Sequence, residues 1–84
     1  MTDLEREVAA LIVDALRLPV KVDDFDPEAP LYGEPLGLDS IDMLEIALAI
    51  SRRYGFEIRS ESVETEHIFA SLRNLALHVA AHRA

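Results

Sequence analysis

The stretch Gly37-Leu38-Asp39-Ser40-Ile41-Asp42 opens the strongest helical pattern in the chain and sets one hydroxyl between two carboxylates. Asp39 suits a helix N-cap, because its short carboxylate can accept from backbone N–H groups that the first turn leaves unpaired. Asp42 and Glu45 then lie toward the positive end of the helix dipole. The pattern runs to about Tyr54, where Arg52 and Arg53 suit the last turn and Gly55 suits a left-handed stop. Two apolar stripes separate along it. Met43, Ile46, Ala47, Ile50 and Tyr54 form one continuous face, and Ile41, Leu44 and Leu48 form a second, shifted one. One stripe is expected to face the core while the other borders solvent or a partner.

Upstream, residues 18–38 hold all four prolines and two of the three glycines, which predicts a long loop. A loop of that length in a small domain needs a function or pins. Val22, Phe25, Leu31, Leu36 and Leu38 are the candidate pins. Before the loop, Thr2 followed by Glu5 fits a capping box, and Leu4, Val8, Leu11, Ile12, Ala15 and Leu16 continue with helical spacing. That helix is expected over about 3–17, ending ahead of Pro19.

Downstream, Phe56 and Ile58 alternate with Glu57 and Arg59 too briefly for a strand, so they read as a buried connector. Ser60 or Ser62 begins a short helix through about His67, anchored by Ile68 and Phe69. Ser71 caps a last helix of roughly 71–82, with Leu72, Leu75, Ala76 and Val79 inward. The predicted fold class is all-α. It is a small four-helix bundle of three longer helices and one short helix, with a long loop between helices 1 and 2, in one domain over residues 1–84.

Composition narrows the function classes. Half of the 84 residues are apolar, which fits a packed core and not a disordered acidic tail. There is no cysteine, hence no disulfide and no thiolate metal site, and any thiol chemistry must come from an added group. Residues 1–50 carry 12 acids against 3 bases, while residues 51–84 carry 4 acids against 5 bases. A field this negative around Ser40 repels nucleic acid and anionic membrane surfaces, and draws in proteins with basic docking patches. No apolar run is long enough for a transmembrane segment, and Thr2-Asp3-Leu4-Glu5-Arg6-Glu7 is unlike a signal peptide, so a cytoplasmic chain is expected.

Taken from the residues alone, Ser40 has three readings. It can simply open the helix, as serines often do. It can be a hydrolase nucleophile, but there is no Gly-x-Ser-x-Gly elbow and no histidine within 25 residues, and so small a fold lacks an enclosed pocket. It can be the attachment point of a phosphate-linked group, placed where free backbone N–H groups and the dipole favour an anion. Asp39 and Asp42 would then hold the modifying enzyme or its metal.

Other constellations are weaker. His78 and His82 stand i, i+4, and Glu64-x-x-His67 is half of a di-iron carboxylate signature, but no second half exists. Asp23-Asp24-Phe25-Asp26-Pro27-Glu28 lacks the glycine and closing glutamate of a calcium loop and reads as a solvated acidic loop. No metal site is expected.

The segment Gly37-Leu38-Asp39-Ser40-Ile41-Asp42-Met43-Leu44-Glu45 resembles the phosphopantetheine attachment motif of acyl carrier proteins, usually written Asp-Ser-Leu, with Ile41 as a conservative departure. The resemblance covers nearly the whole chain. It takes in the acidic first helix, the loop segment Asp26 to Leu31, Tyr54 to Ile58, and Phe69-Ala70-Ser71-Leu72. It implies a carrier and not an enzyme. Ser40 would receive 4′-phosphopantetheine from coenzyme A through a phosphopantetheinyl transferase, and the arm's thiol would hold acyl intermediates as thioesters. It implies that Asp39, Ile41, Asp42, Met43, Leu44 and Glu45 form the docking surface, with acids for basic partner residues and apolar side chains for the central contact.

Within that family, Leu31 to Ile46, Arg52-Arg53-Tyr54-Gly55 and the Phe-Ala-Ser-Leu turn are similar to carriers of aryl polyene (xanthomonadin-like) pathways. The partners implied are ketosynthase, ketoreductase, dehydratase and acyl-loading enzymes of a type II system, and the carrier is expected as a monomer. Fatty-acid synthesis and other polyketide pathways remain alternatives, as do a peptidyl or aminoacyl carrier and a non-covalent acidic adaptor.

Overall fold

The first helix starts where Thr2 and Glu5 cap each other. In the computed structural model, which describes residues 1–31, 37–58 and 67–83, Thr2 Oγ1 accepts the Glu5 N–H at 3.1 Å and Glu5 Oε1 accepts the Thr2 N–H at 2.7 Å. From this capping box α1 runs Asp3–Leu16. It ends one residue short of the predicted boundary because Arg17 turns left-handed (φ 52°, ψ 48°). That turn lets the Leu18 N–H reach the Val13 carbonyl at 3.1 Å. Pro19 then follows, and proline removes the N–H a further turn would need.

The loop after α1 contains one element the sequence pattern does not reveal, a single 3-10 turn at Val22–Asp24. Three residues are too few for periodicity to show. A second turn follows, in which Asp26 Oδ1 accepts the Glu28 N–H at 3.0 Å and the Asp26 carbonyl accepts the Ala29 N–H at 3.1 Å. Phe25, Leu31 and Leu38 are buried and Val22 is half-buried against the core, as expected of pins. Leu36, the fifth candidate, lies outside the described residues.

Helix α2 spans Ser40–Tyr54, with Asp39 as its N-cap and Gly55 (φ 77°) as its left-handed stop. Helix α3 spans Leu72–His82, where Ser71 Oγ accepts the Asn74 N–H at 3.1 Å. These bounds agree with the spacing argument. The short helix predicted from Ser60 or Ser62 falls on residues outside the description, apart from its helical end at His67 and Ile68. No strand occurs among the described residues, and the all-α helix-bundle class holds.

Helix α1 is the shared element, packing on both α2 and α3. Val8 and Ile12 from α1, Ile46 and Ile50 from α2, Leu72, Leu75 and Val79 from α3, and Leu31 from the loop are fully buried together. Phe56 and Ile58 pack half-buried against this core, and Ile68 and Phe69 are buried in it. Polar clamps tie the elements at their ends. Tyr54 Oη donates to Glu7 Oε1 at 2.7 Å, and Arg53 pairs with the same carboxylate at 3.3 Å while lying 5.6 Å over the Tyr54 ring. Burial in the first place, then the Glu7 carboxylate, pushes the Tyr54 hydroxyl up to about 12.

On another side of α1, Arg73 Nε donates to Glu5 Oε2 at 3.2 Å and Arg73 Nη1 to Glu28 Oε1 at 2.6 Å. The Arg73 N–H also donates to the Pro27 carbonyl at 2.9 Å, so α1, the loop and α3 meet at one residue. Arg6 pairs with Asp23 beside the 3-10 turn. Among the described residues, no helix is long and apolar enough to cross a membrane.

Candidate functional site

The first turn of α2 is built by a reciprocal cap. Asp39 Oδ1 accepts from the N–H groups of Ile41 and Asp42, each at 3.0 Å, and Asp42 Oδ2 accepts from the Asp39 N–H at 3.0 Å. This separates two roles that the sequence leaves merged. Asp39 is the cap, so Ser40 is not needed to open the helix. Ser40 sits at the first helical position, is exposed, and its Oγ has no hydrogen-bond partner among the described residues.

The same cap corrects one electrostatic expectation. Free N–H groups in this turn are a reason to expect an anion beside Ser40, but Asp39 occupies those of Ile41 and Asp42. An N-cap carboxylate is itself the anion that such donors hold best. A phosphate on Ser40 is therefore carried outward, away from those two donors, for as long as the cap stands.

Buried side chains anchor this turn on its inner side. Leu38 is buried two residues before Ser40 and Met43 three residues after it, which fixes the backbone on both sides. Gly37 has φ 70°, a left-handed conformation that other residues adopt with strain, and the space where a Cβ would stand is open. The exposed hydroxyl is thus presented on a fixed backbone.

Helix α2 divides its side chains as the two stripes require. Met43, Ile46, Ala47, Ile50 and Tyr54 are buried. Ile41, Leu44 and Leu48 stay open, with relative exposures of 69%, 46% and 50%. Asp39 and Glu45 are exposed and Asp42 is half-buried. Among the residues expected to dock partners, Met43 stands apart: it lies in the buried stripe at 9% exposure. Its position explains why, since residues 43, 46, 47 and 50 share one side of a 3.6-residue helix. Leu48 belongs to the outer face in its place.

His78 and His82 do not complete a hydrolytic site with Ser40. The His78 and His82 rings stack at 4.1 Å, and both lie within 6 Å of the Phe56 ring, at 5.6 and 5.7 Å. Phe56 follows the C-terminal end of α2, roughly 20 Å along the helix from Ser40 at about 1.5 Å per residue. His82 Nδ1 is 3.0 Å from the His78 carbonyl. Among the described residues, no group of three or more His, Cys, Asp or Glu side chains gathers to hold a metal ion.

Beside the apolar face rimmed by acids, α2 thus presents an exposed hydroxyl with no partner among the described residues, on a capped first turn. Comparison with protein-family models agrees in kind. The model described as the phosphopantetheine attachment site matches residues 6–79, which takes in the whole of α2 with the turn around Ser40 and most of α1 and α3.

Proposed function

The chain belongs to the phosphopantetheine attachment-site family, and from that premise we propose that it is an acyl carrier protein with Ser40 as its attachment residue. Members of the family carry 4′-phosphopantetheine-linked intermediates and do not catalyse their conversion, so the chain is a carrier that serves enzymes. The observation that supports Ser40 is its exposed hydroxyl, unbonded among the described residues, in a turn whose cap is made by another residue.

The residues present fit the group. The Ser40 hydroxyl is the bond-forming atom: it would attack the coenzyme A pyrophosphate, take the phosphopantetheine-bearing phosphate and release adenosine 3′,5′-bisphosphate, while its proton passes to solvent or to a base of the transferase. Asp39 holds the turn while Asp42 holds Asp39, so the nucleophile does not need to be ordered when the transferase arrives. When bound, the arm supplies the thiol that this cysteine-free chain lacks, and acyl groups ride on it as thioesters. Asp39, Ile41, Asp42, Leu44 and Glu45 form the docking face, with Leu48 extending it. Acids at its rim steer basic partners and its aliphatic centre supplies the desolvated contact.

The partners are a phosphopantetheinyl transferase and dissociated synthase enzymes: ketosynthase, ketoreductase, dehydratase and an acyl-loading enzyme. The cargo is a growing acyl or polyketide chain, and the run Leu31 to Ile46 with Arg52-Arg53-Tyr54-Gly55 favours an aryl polyene pathway. The carrier works as a monomer in the cytoplasm, where coenzyme A and the transferase are at hand.

The test is an intact-mass measurement after incubation with coenzyme A and a broad-specificity phosphopantetheinyl transferase. One phosphopantetheine is expected on the wild-type chain and none on Ser40→Ala. An unmodified wild-type chain beside a working control carrier would sink the proposal and favour a non-covalent acidic adaptor. Comparing aryl-polyene with saturated acyl loading then tests the pathway.

A further inference from the structure

The outer face of α2 changes character along its length. Positions 41, 44, 45, 48 and 52 return to nearly the same direction on a 3.6-residue helix, opposite the buried stripe. Asp39, Asp42 and Glu45 lie at the Ser40 end with Ile41 and Leu44 among them, Leu48 stands midway, and Arg52 closes the far end, exposed. Arg52 differs from the arginine beside it. Arg53 is committed to Glu7 and the Tyr54 ring, whereas Arg52 has no carboxylate partner among the described residues.

A base in the last turn also complements the helix dipole, and either arginine does that equally well. The dipole does not account for a charge that has no carboxylate partner among the described residues and stands in line with three exposed aliphatic side chains. We infer that α2 is a polarised docking face, read end to end by a synthase enzyme that presents basic groups to Asp39, Asp42 and Glu45, an apolar contact to Ile41, Leu44 and Leu48, and a carboxylate to Arg52. That carboxylate lies about 18 Å along the helix from the Ser40 level, twelve residues at roughly 1.5 Å each. An apolar groove alone accepts a helix in either direction. Opposite charges at the two ends of α2 set the direction, because the reversed arrangement brings like charges together at both ends. Only one direction puts Ser40 at the mouth of the partner's active site, so Arg52 is a specificity-determining residue for productive docking.

This inference rests on Ser40 being the attachment residue, and the experiment separates the two. Wild-type, Arg52→Glu, Arg52→Gln and Lys21→Glu proteins are loaded by the transferase and checked by intact mass and by circular dichroism melting. Each is then assayed with a ketosynthase chosen because it elongates an acyl chain on the wild-type holo protein. Arg52→Glu is expected to lose about tenfold in kcat/KM, chiefly through KM, and Arg52→Gln less. Lys21→Glu makes the same charge change beside the 3-10 turn and should stay within about twofold. The Arg52→Glu loss should shrink at about 1 M salt, where the screening length is about 3 Å. Equal losses for Arg52→Glu and Lys21→Glu, or a fully loaded Arg52→Glu that elongates like wild type, overturns the polarity. A wild-type chain that never gains the arm overturns the attachment reading and the inference with it.

Discussion

Asp39 and Ser40 are neighbours with separable duties, and substitutions at each should show it. Asp39→Ala removes the acceptor of two N–H groups and the partner of Asp42, and should cost about 1 kcal/mol of stability in urea denaturation. Ser40→Ala should stay within about 0.5 kcal/mol of wild type, because the hydroxyl makes no bond among the described residues. The same protein should nevertheless accept no phosphopantetheine. If Ser40→Ala destabilised as much as Asp39→Ala, the hydroxyl would be part of the cap after all. Arg17 presents the converse case, a residue held in a conformation it does not favour. Its left-handed backbone ends α1, and a non-glycine residue there carries strain of roughly 1–2 kcal/mol. Arg17→Gly relieves the strain and pays back part of it in unfolded-chain entropy, so a net gain of about 0.5–1 kcal/mol is expected from the same urea measurement. A loss would mean that the Arg17 side chain holds something the backbone does not.

On the scale of the element, α2 explains how much of this molecule its sequence reveals. The helix is long, begins with Asp39, ends at Gly55 and separates its apolar side chains cleanly, so start, stop and both faces are legible from spacing. Ile46→Ala on the inner face should cost about 2–5 kcal/mol, because a fully buried side chain leaves a cavity. Leu48→Ala on the outer face should cost no more than about 0.5 kcal/mol, yet raise the KM of a partner enzyme. Equal stability losses in thermal melts would mean that Leu48 is packed and the outer face is not free. Met43 is the ambiguous residue, since the resemblance places it in the docking set while its spacing places it in the continuous apolar face, and its burial follows the spacing. The 3-10 turn at Val22–Asp24 was not legible, because its three residues repeat nothing and its position depends on packing beside α1.

Across the whole molecule the legible and the hidden divide by distance along the chain. Thr2 and Glu5 announce their capping box three residues apart, but nothing local announces that Glu5 also accepts from Arg73, or that Tyr54 reaches Glu7. Such clamps matter in a chain whose first fifty residues hold 12 acids and 3 bases. Their mutual repulsion predicts that moderate salt or a divalent cation raises the Tm, and a Tm unmoved by either would discard repulsion as a term. Acid then sets two effects against each other, since protonating surface carboxylates relieves repulsion while protonating Glu5 breaks a clamp. The Thr2 N–H first, and Arg73 after it, hold the nearly buried Glu5 carboxyl below its ordinary value of 4.5. A depressed carboxyl contributes stability that is present above its unfolded value and lost as pH falls through the folded one. Below pH of about 4.5 the Tm should therefore fall in wild type. Glu5→Gln should melt lower at pH 7, where it lacks the charge that Arg73 and the Thr2 N–H hold, and should lose less on acidification. Parallel melting curves for the two proteins from pH 7 to the acid limb would show that Glu5 carries none of the acid response and that the clamp at Arg73 is held by Glu28 and the Pro27 carbonyl alone.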